Sequence, residues 1–234
     1  MSVAAVIFDW GGTLTPWHQI DLSSQWYAFA QHYDPENASD LAQSLYLAEE
    51  ERWRIQRESA GAVSTGALSS ILRSCGVDDS TEHFRLAFQH YLDFWQPHTF
   101  ADPDALPLLR ALRERGLKIG VLSNTMWPRE FHEEIFERDG LLEFIDAGVY
   151  TSELPVGKPH KEAFVAAMTA LEVHDASSVV FVGDRLWDDV HGAQSVGMHA
   201  VFLPHSQHRS HELVETSVVP HATIERLGDV FTVV

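Results

Sequence analysis

Apolar positions along this chain fall into two patterns. The first is a set of short continuous runs: "VAAVIF" (3–8), "KIGVLS" (118–123), "SVVFVG" (178–183), "HAVFL" (199–203) and a weaker "AGVYT" (147–151). A strand covered on both faces has no wet side to alternate with, so these runs predict buried strands. The second pattern has helical spacing. "DALPLLRALRERG" (104–116) carries basic residues in its last turn and stops on a glycine, as helix C-termini do. "HKEAFVAAMTALEV" (160–173) aligns Phe164, Met168 and Leu171 on one face, and "WDDVHGAQSVGM" (187–198) predicts a third helix. Strands alternating with helices at this spacing predict a parallel sheet with right-handed crossovers.

Between the first and second runs lie more than a hundred residues with no strand-like segment. Trp26, Phe29, Ala30 and Tyr33 follow helical spacing. So do Leu41 and Leu45, then Leu68, Ile71 and Leu72, then Phe84, Phe88 and Leu92, with the turn signals "DPEN" and "GVDDS" between them. A crossover this long is a domain in its own right. The expected architecture is α/β: a Rossmann-like, three-layer parallel-sheet core at 1–15 and 98–234, with an inserted α-helical cap at 16–97.

Composition narrows the partners. The 234 residues carry 34 acidic against 16 basic side chains, a net charge of −18. Such a chain repels nucleic acid and anionic membrane. "MSVAAVIFDW" lacks the basic region of a signal peptide, and no stretch reaches the ~18 apolar residues of a membrane helix. A single cysteine, Cys75, excludes an internal disulfide and reads as a small buried hydrophobe. A cytoplasmic protein, monomeric or homodimeric, is expected.

In a doubly wound sheet, ligands bind beyond the carboxyl ends of the strands. The first strand delivers Asp9 there, in "VIFDWGGTLT". The second delivers Ser123 and Asn124, the weak third is followed by Lys158, and the fourth by Asp184, with Asp188 and Asp189 opening the next helix. Singly, each has an ordinary reading as a cap, a turn former or a solvated charge. Together they are carboxylates that repel unless a cation sits among them. Hard oxygen ligands suit Mg²⁺, which keeps waters and takes a substrate phosphate. Lysine and the N–H groups of a Gly-rich turn suit that phosphate, and an Asp so held can attack phosphorus.

These segments resemble the haloacid dehalogenase-like hydrolases, in the branch with a helical cap after the first motif. "FDWGGTLT", "VLSNT", "GKPHKEAF" and "FVGDRLWDDVHGA" occur in the family's order across nearly the whole chain. The resemblance implies a small phosphorylated substrate. It implies Asp9 as nucleophile and Lys158 as the charge joining nucleophile to phosphate. Gly12, Thr13, Ser123 and Asn124 become phosphate ligands. Asp9, the Gly11 carbonyl, Asp184 and either Asp189 or Asp188 become ligands of Mg²⁺; the continuation "DVHGA" points to Asp189.

One departure stands out. Phosphatases of the family carry a second aspartate two residues after the nucleophile, which protonates the leaving group and later activates water. Here that residue is Gly11. Its loss removes a general acid–base effect on the order of 10²–10⁴-fold. Four readings follow: a phosphatase with a substitute acid or a good leaving group, a phosphonate-cleaving enzyme, a 2-haloacid dehalogenase, or a catalytically impaired phosphate-binding protein. The phosphonate reading requires a cap lysine, and none precedes Lys118. The dehalogenase reading has no use for Asp184, Asp188 and Asp189, although Arg52, Arg54 or Arg57 offers a halide a partner.

Weaker signals remain. Trp10, Trp17, Trp127 and Trp187 stand beside the motifs, as core packing or as an aromatic wall around an organic leaving group. His18 and His160 are candidate substitute acids. Asp21 is expected to cap the first cap helix. His205, His208 and His211 read as a solvated loop, and "EEERWRIQRE" (49–58), with Glu50 and Arg54 at i, i+4, as a solvated helix face.

Overall fold

A computed structural model describes residues 2–16, 20–58, 68–204, 206 and 214–234, with the side chains of 57 and 58 excepted. Trp17, His18, His205, His208, His211 and the Arg57 side chain lie outside the described residues.

Six parallel strands form one sheet: β1 Ala5–Phe8, β2 Lys118–Ser123, β3 Ala147–Tyr150, β4 Val179–Gly183, β5 His199–Phe202 and β6 Ala222–Thr223. Their order is β3-β2-β1-β4-β5-β6. The expected fold class is therefore the observed one, with β6 added at the edge. Side chains alternate between the two faces, as a pleated sheet requires. Val6, Phe8, Ile119, Val121, Val180 and Val182 enter one apolar core. Ala5, Ile7, Leu122, Val179 and Phe181 enter the other. Both faces are dry because helices cover both. Helices α5 (Ala105–Glu114) and α6 (Arg129–Arg138) pack on the first face, and α7 (Lys161–Ala170) and α8 (Gly192–Ser195) on the second.

Among the described residues, four α-helices separate β1 from α5: α1 Leu22–Tyr33, α2 Ala38–Glu58, α3 Leu68–Ser74 and α4 Glu82–Trp95. Asp21 caps α1, its side chain accepting from the Ser23 backbone N–H. α1 packs on α2 and α4 through Trp26, Phe29 and Tyr91, all fully buried. Cys75 is half-buried at the margin of this packing. Among the described residues, no helix is long and apolar enough to cross a membrane.

Sheet order explains where a ligand can sit. From β1 the chain builds outward to β2 and β3, then returns to place β4 on the opposite side of β1. The crossovers diverge there and leave a crevice beyond the carboxyl ends of β1 and β4. The helix expected from 187 also differs in kind. Leu186–His191 is one wide π turn, and only Gly192–Ser195 is α-helical. The Arg185 carbonyl accepts from Asp189 N at 3.0 Å and Val190 N at 3.2 Å, the i+4 and i+5 donors together. Such wide turns recur at functional sites, and this one follows β4 directly.

Candidate active site

Asp9 leaves β1 at the crevice, its backbone N–H bonded to the Val182 carbonyl of β4 at 2.9 Å. Its carboxylate is buried and meets Lys158, whose Nζ donates to Asp9 Oδ1 at 2.6 Å and to Asp189 Oδ1 at 2.7 Å. Asp189 Oδ2 accepts from the Arg185 backbone N–H at 2.9 Å. Thr13 Oγ1 lies 3.4 Å from Asp9 Oδ2. Two glycines make the approach possible. Gly12 has φ +101°, a region that excludes most side chains, and a Cβ there would fall 1.8 Å from Asp184 Oδ2. A Cβ at Gly183 would fall 2.3 Å from Asp189 Cγ.

Asp9, Asp184 and Asp189 each bring an oxygen within 4.8 Å of the others, and all three are buried. Lys158 supplies one positive charge against three negative ones. Burial pushes the Asp9 carboxyl up to about 7; Lys158 opposes this, and Asp189 and Asp184 reinforce it. Burial pushes Asp188 up to about 6, with Arg185, 3.8 Å away, opposing. Burial also disfavours the charge on Lys158, but Asp189 and Asp9 outweigh it and hold the amine above its usual range. Three hard oxygen donors with an uncompensated negative balance fit a small divalent cation. Asp189 stands in this cluster and Asp188 does not, though both line the adjoining cavity.

The haloacid dehalogenase-like hydrolase model matches residues 3–197, a span that holds all these groups. The chain belongs to that family. It is similar to a glyceraldehyde 3-phosphate phosphatase of Methanopyrus kandleri, at 28% identity over 99% of this chain and 97% of that protein. It is 25% identical to a ribulose-1,5-bisphosphate 5-phosphatase of Halopiger xanaduensis, over 96% of this chain and 93% of the relative. Its fold matches an HAD phosphatase of Thermococcus onnurineus with a TM-score of 0.68, at 21% identity over 99% and 97% of the two chains. The chain is thus a hydrolase of the family.

A cavity of about 160 Å³ opens over Asp9. Ser123, at the end of β2, lines its floor with Lys158, Asp188 and Asp189, while Trp10 and Trp127 form walls. Of the other tryptophans beside the motifs, Trp187 stacks on His191 at 4.2 Å instead of lining the cavity. His160 pairs with Glu162 and is not among the described lining residues, so it offers no proton here. Asn124, expected as a phosphate ligand, lines the cavity, and its side-chain amide is engaged by Lys158. Its Oδ1 accepts from the Lys158 backbone N–H at 2.8 Å, and its Nδ2 donates to the Lys158 carbonyl at 3.0 Å. Its amide therefore holds the lysine's backbone.

The roof comes from the inserted helices, as expected of a cap, but the residues that form it were not foreseen. Glu49, Trp53 and Gln56 line the cavity from α2, with Leu22 and Trp95 beside them. Positions 49, 53 and 56 share one helix face at i, i+4, i+7. That run was expected to be a solvated helix face; its outer face is, with Arg54 pairing with Glu51 there. Glu49 is buried because it has partners. Its Oε2 accepts from Gln25 Nε2 at 2.7 Å and Trp26 Nε1 at 2.6 Å, while Trp95 Nε1 donates to Gln25 Oε1 at 2.7 Å. The signal was present as aromatic and amide residues at helical spacing within a charged run. Neither Arg52 nor Arg54 is among the described lining residues, so neither faces a halide there.

Proposed function

We propose that this chain is a Mg²⁺-dependent phosphatase acting on a small phosphorylated metabolite through phospho-Asp9. The observation that carries this reading is the convergence of Asp9, Asp184 and Asp189 on Lys158 at the crevice. Mg²⁺, held by Asp9, Asp184, Asp189 and the Gly11 carbonyl, would supply positive charge to the transferring phosphoryl group. In the first step the Asp9 carboxylate attacks phosphorus, and the ester oxygen departs with the bonding pair. In the second, water attacks the aspartyl-phosphate and releases inorganic phosphate, restoring Asp9. Lys158 keeps Asp9 oriented and shares the developing negative charge, since phosphoryl transfer is mainly positioning and electrostatics. Ser123 and the Thr13 hydroxyl are assigned to the phosphate oxygens, while the Gly12 and Thr13 N–H groups donate to the Thr15 and Trp10 carbonyls and hold the turn.

Residue 11 sets the limit. Glycine can offer its carbonyl to a cation but no proton to a leaving group. The enzyme is therefore expected to favour esters whose leaving group departs without one, such as aryl and acyl phosphates. The tryptophan-lined cavity supports an organic leaving group. Residues 16–97 are assigned as a cap that closes over the site and excludes water. A dehalogenase reading is disfavoured by charge, because three clustered carboxylates repel a haloacid's own carboxylate.

The test is hydrolysis of p-nitrophenyl phosphate with Mg²⁺, with EDTA and with Asp9→Asn in parallel. Turnover that requires both Mg²⁺ and Asp9 is the expected result. Turnover that survives Asp9→Asn would rule out phospho-Asp9. No turnover of any ester, with phosphate still bound, would leave the phosphate-binding reading.

A further inference from the structure

We infer that Gln56 is a positioning residue through which the inserted helices set the place of Lys158. The inference rests on the proposed role of Lys158 as the charge beside the nucleophile. Gln56 lies on the cavity face of α2 and is 3% exposed. Its Nε2 donates to the Lys158 backbone carbonyl at 2.8 Å, across 102 residues of chain. A carbonyl oxygen has two lone pairs, and Asn124 Nδ2 takes a place on the same oxygen at 3.0 Å. With the bond from Lys158 N to Asn124 Oδ1, three hydrogen bonds fix this residue's backbone. Two come from the core, through Asn124. The third comes from the insertion.

The lysine needs that support. Its side chain is long and rotamer-rich, and its Nζ must meet Asp9 and Asp189 at once, at 2.6 and 2.7 Å. Fixing the backbone fixes the origin from which the amine reaches. The segment between the two anchors is also close-fitting: a Cβ at Gly157 would lie 2.9 Å from Asn124 Oδ1 and 3.5 Å from Gln56 Nε2. Movement of α2 away from the core would break one of the three bonds at Lys158. The carbonyl would then rest on Asn124 alone. Seating of α2 and placement of the catalytic lysine are therefore one event, without any contact between Gln56 and the reacting atoms.

The decisive variant is Gln56→Met, which keeps the length and volume but removes the donor. Two measurements are made. With p-nitrophenyl phosphate and Mg²⁺, kcat is expected to fall about 10- to 100-fold while KM stays within about twofold, since misplacement of a catalytic group acts on the transition state. The second needs no turnover. The chain has three lysines, Lys118, Lys158 and Lys161, so ¹⁵N-lysine labelling gives three backbone amide signals to follow. The Lys158 signal is expected to shift in Gln56→Met while that of Lys118, at the far end of β2, stays in place. Should methionine not be accommodated, Gln56→Asn, one methylene too short to reach, carries the same test.

An unmoved Lys158 amide overturns the inference, whatever the kinetics. So does a shifted amide with unchanged kcat, and so does a raised KM with kcat intact, which would place Gln56 on the substrate. If wild type hydrolyses no phosphate ester, the phosphatase reading fails separately, and the amide shift alone decides whether Gln56 holds Lys158.

Discussion

The floor and the roof of the cavity are built on opposite principles. The floor is charge. Asp9, Asp184, Asp189 and Lys158 are buried beyond the carboxyl ends of the strands, with Lys158 bonded to Asp9 and Asp189 and the Arg185 backbone N–H bonded to Asp189. The roof is aromatic and amide surface on helices inserted into one crossover: Trp53 and Gln56 on α2, Trp95 on α4. A site that must stabilise charge needs fixed dipoles and ions, and a parallel sheet supplies them rigidly. A surface that must fit an organic group needs shape, and helices outside the sheet can supply it; at Gln56, bonded to the Lys158 carbonyl, the described roof also holds the floor. The comparison teaches that substitutions in the floor should change rate and stability together, while those in the roof should change substrate preference, except at Gln56, whose bond to Lys158 ties it to the floor.

The largest effect is expected at Lys158. Lys158→Met leaves Asp9 and Asp189 as buried carboxylates without their cation. Removing one partner of a buried ion pair costs about 3–5 kcal/mol, to be read by urea unfolding without Mg²⁺. Turnover of p-nitrophenyl phosphate should fall at least about 10²-fold. Added Mg²⁺ should return part of the stability and little of the rate. Unchanged stability without the metal would mean that the carboxylates do not depend on Lys158, and the floor would not be one electrostatic unit.

Gly11→Asp comes next and runs in the other direction. It restores a proton donor to the floor, so turnover of a simple alkyl phosphate should rise about 10²-fold or more, within the range of general acid catalysis. The gain on an aryl phosphate should be small, because that leaving group needs no proton. A folded, Mg²⁺-binding variant with no gain on alkyl esters would show that leaving-group protonation does not limit the enzyme.

Much of the floor was legible in the sequence, because strand ends are local features. A continuous apolar run names a buried strand, and the next polar residue names what it delivers; Asp9, Ser123 and Asp184 are found this way. The roof was not legible. Glu49, Trp53 and Gln56 sit in a run whose charges describe only its outer face, and no local pattern says that α2 lies over the strand ends. β6 is two residues long and carries no periodicity. The π turn was hidden because "LWDDVH" scores as helix under any helical period. The bonds of the Asn124 amide to the Lys158 backbone were hidden because the two residues are 34 apart in sequence.

A smaller effect is expected from the roof itself. Trp53→Ala removes one of its aromatic faces. KM for p-nitrophenyl phosphate should rise about 5- to 10-fold, the cost of about one to one and a half kcal/mol of lost apolar contact, with kcat nearly constant. Inhibition by inorganic phosphate should not change, since that anion contacts only the floor. A parallel rise in the phosphate inhibition constant would mean that Trp53 supports the floor as well, and the division between the two walls would fail.

The smallest effect tests the seam between the walls. Trp127 belongs to the loop after β2, and its Nε1 donates to the hydroxyl of Tyr91 on α4 at 2.7 Å, both residues being buried. Tyr91→Phe keeps the ring and deletes the acceptor, leaving the indole N–H without its partner in a dry place. An unsatisfied buried donor costs about 1–3 kcal/mol, and the low end applies where a neighbouring group or a water can adjust. Unfolding in urea should therefore report a loss of about 1 kcal/mol. The kinetics separate this bond from the Gln56 bond. Tyr91 touches no group of the floor, so kcat should change less than about twofold. A large fall in kcat from so small a change would mean that rigidity of the whole seam, and not one hydrogen bond to Lys158, couples the inserted helices to the floor.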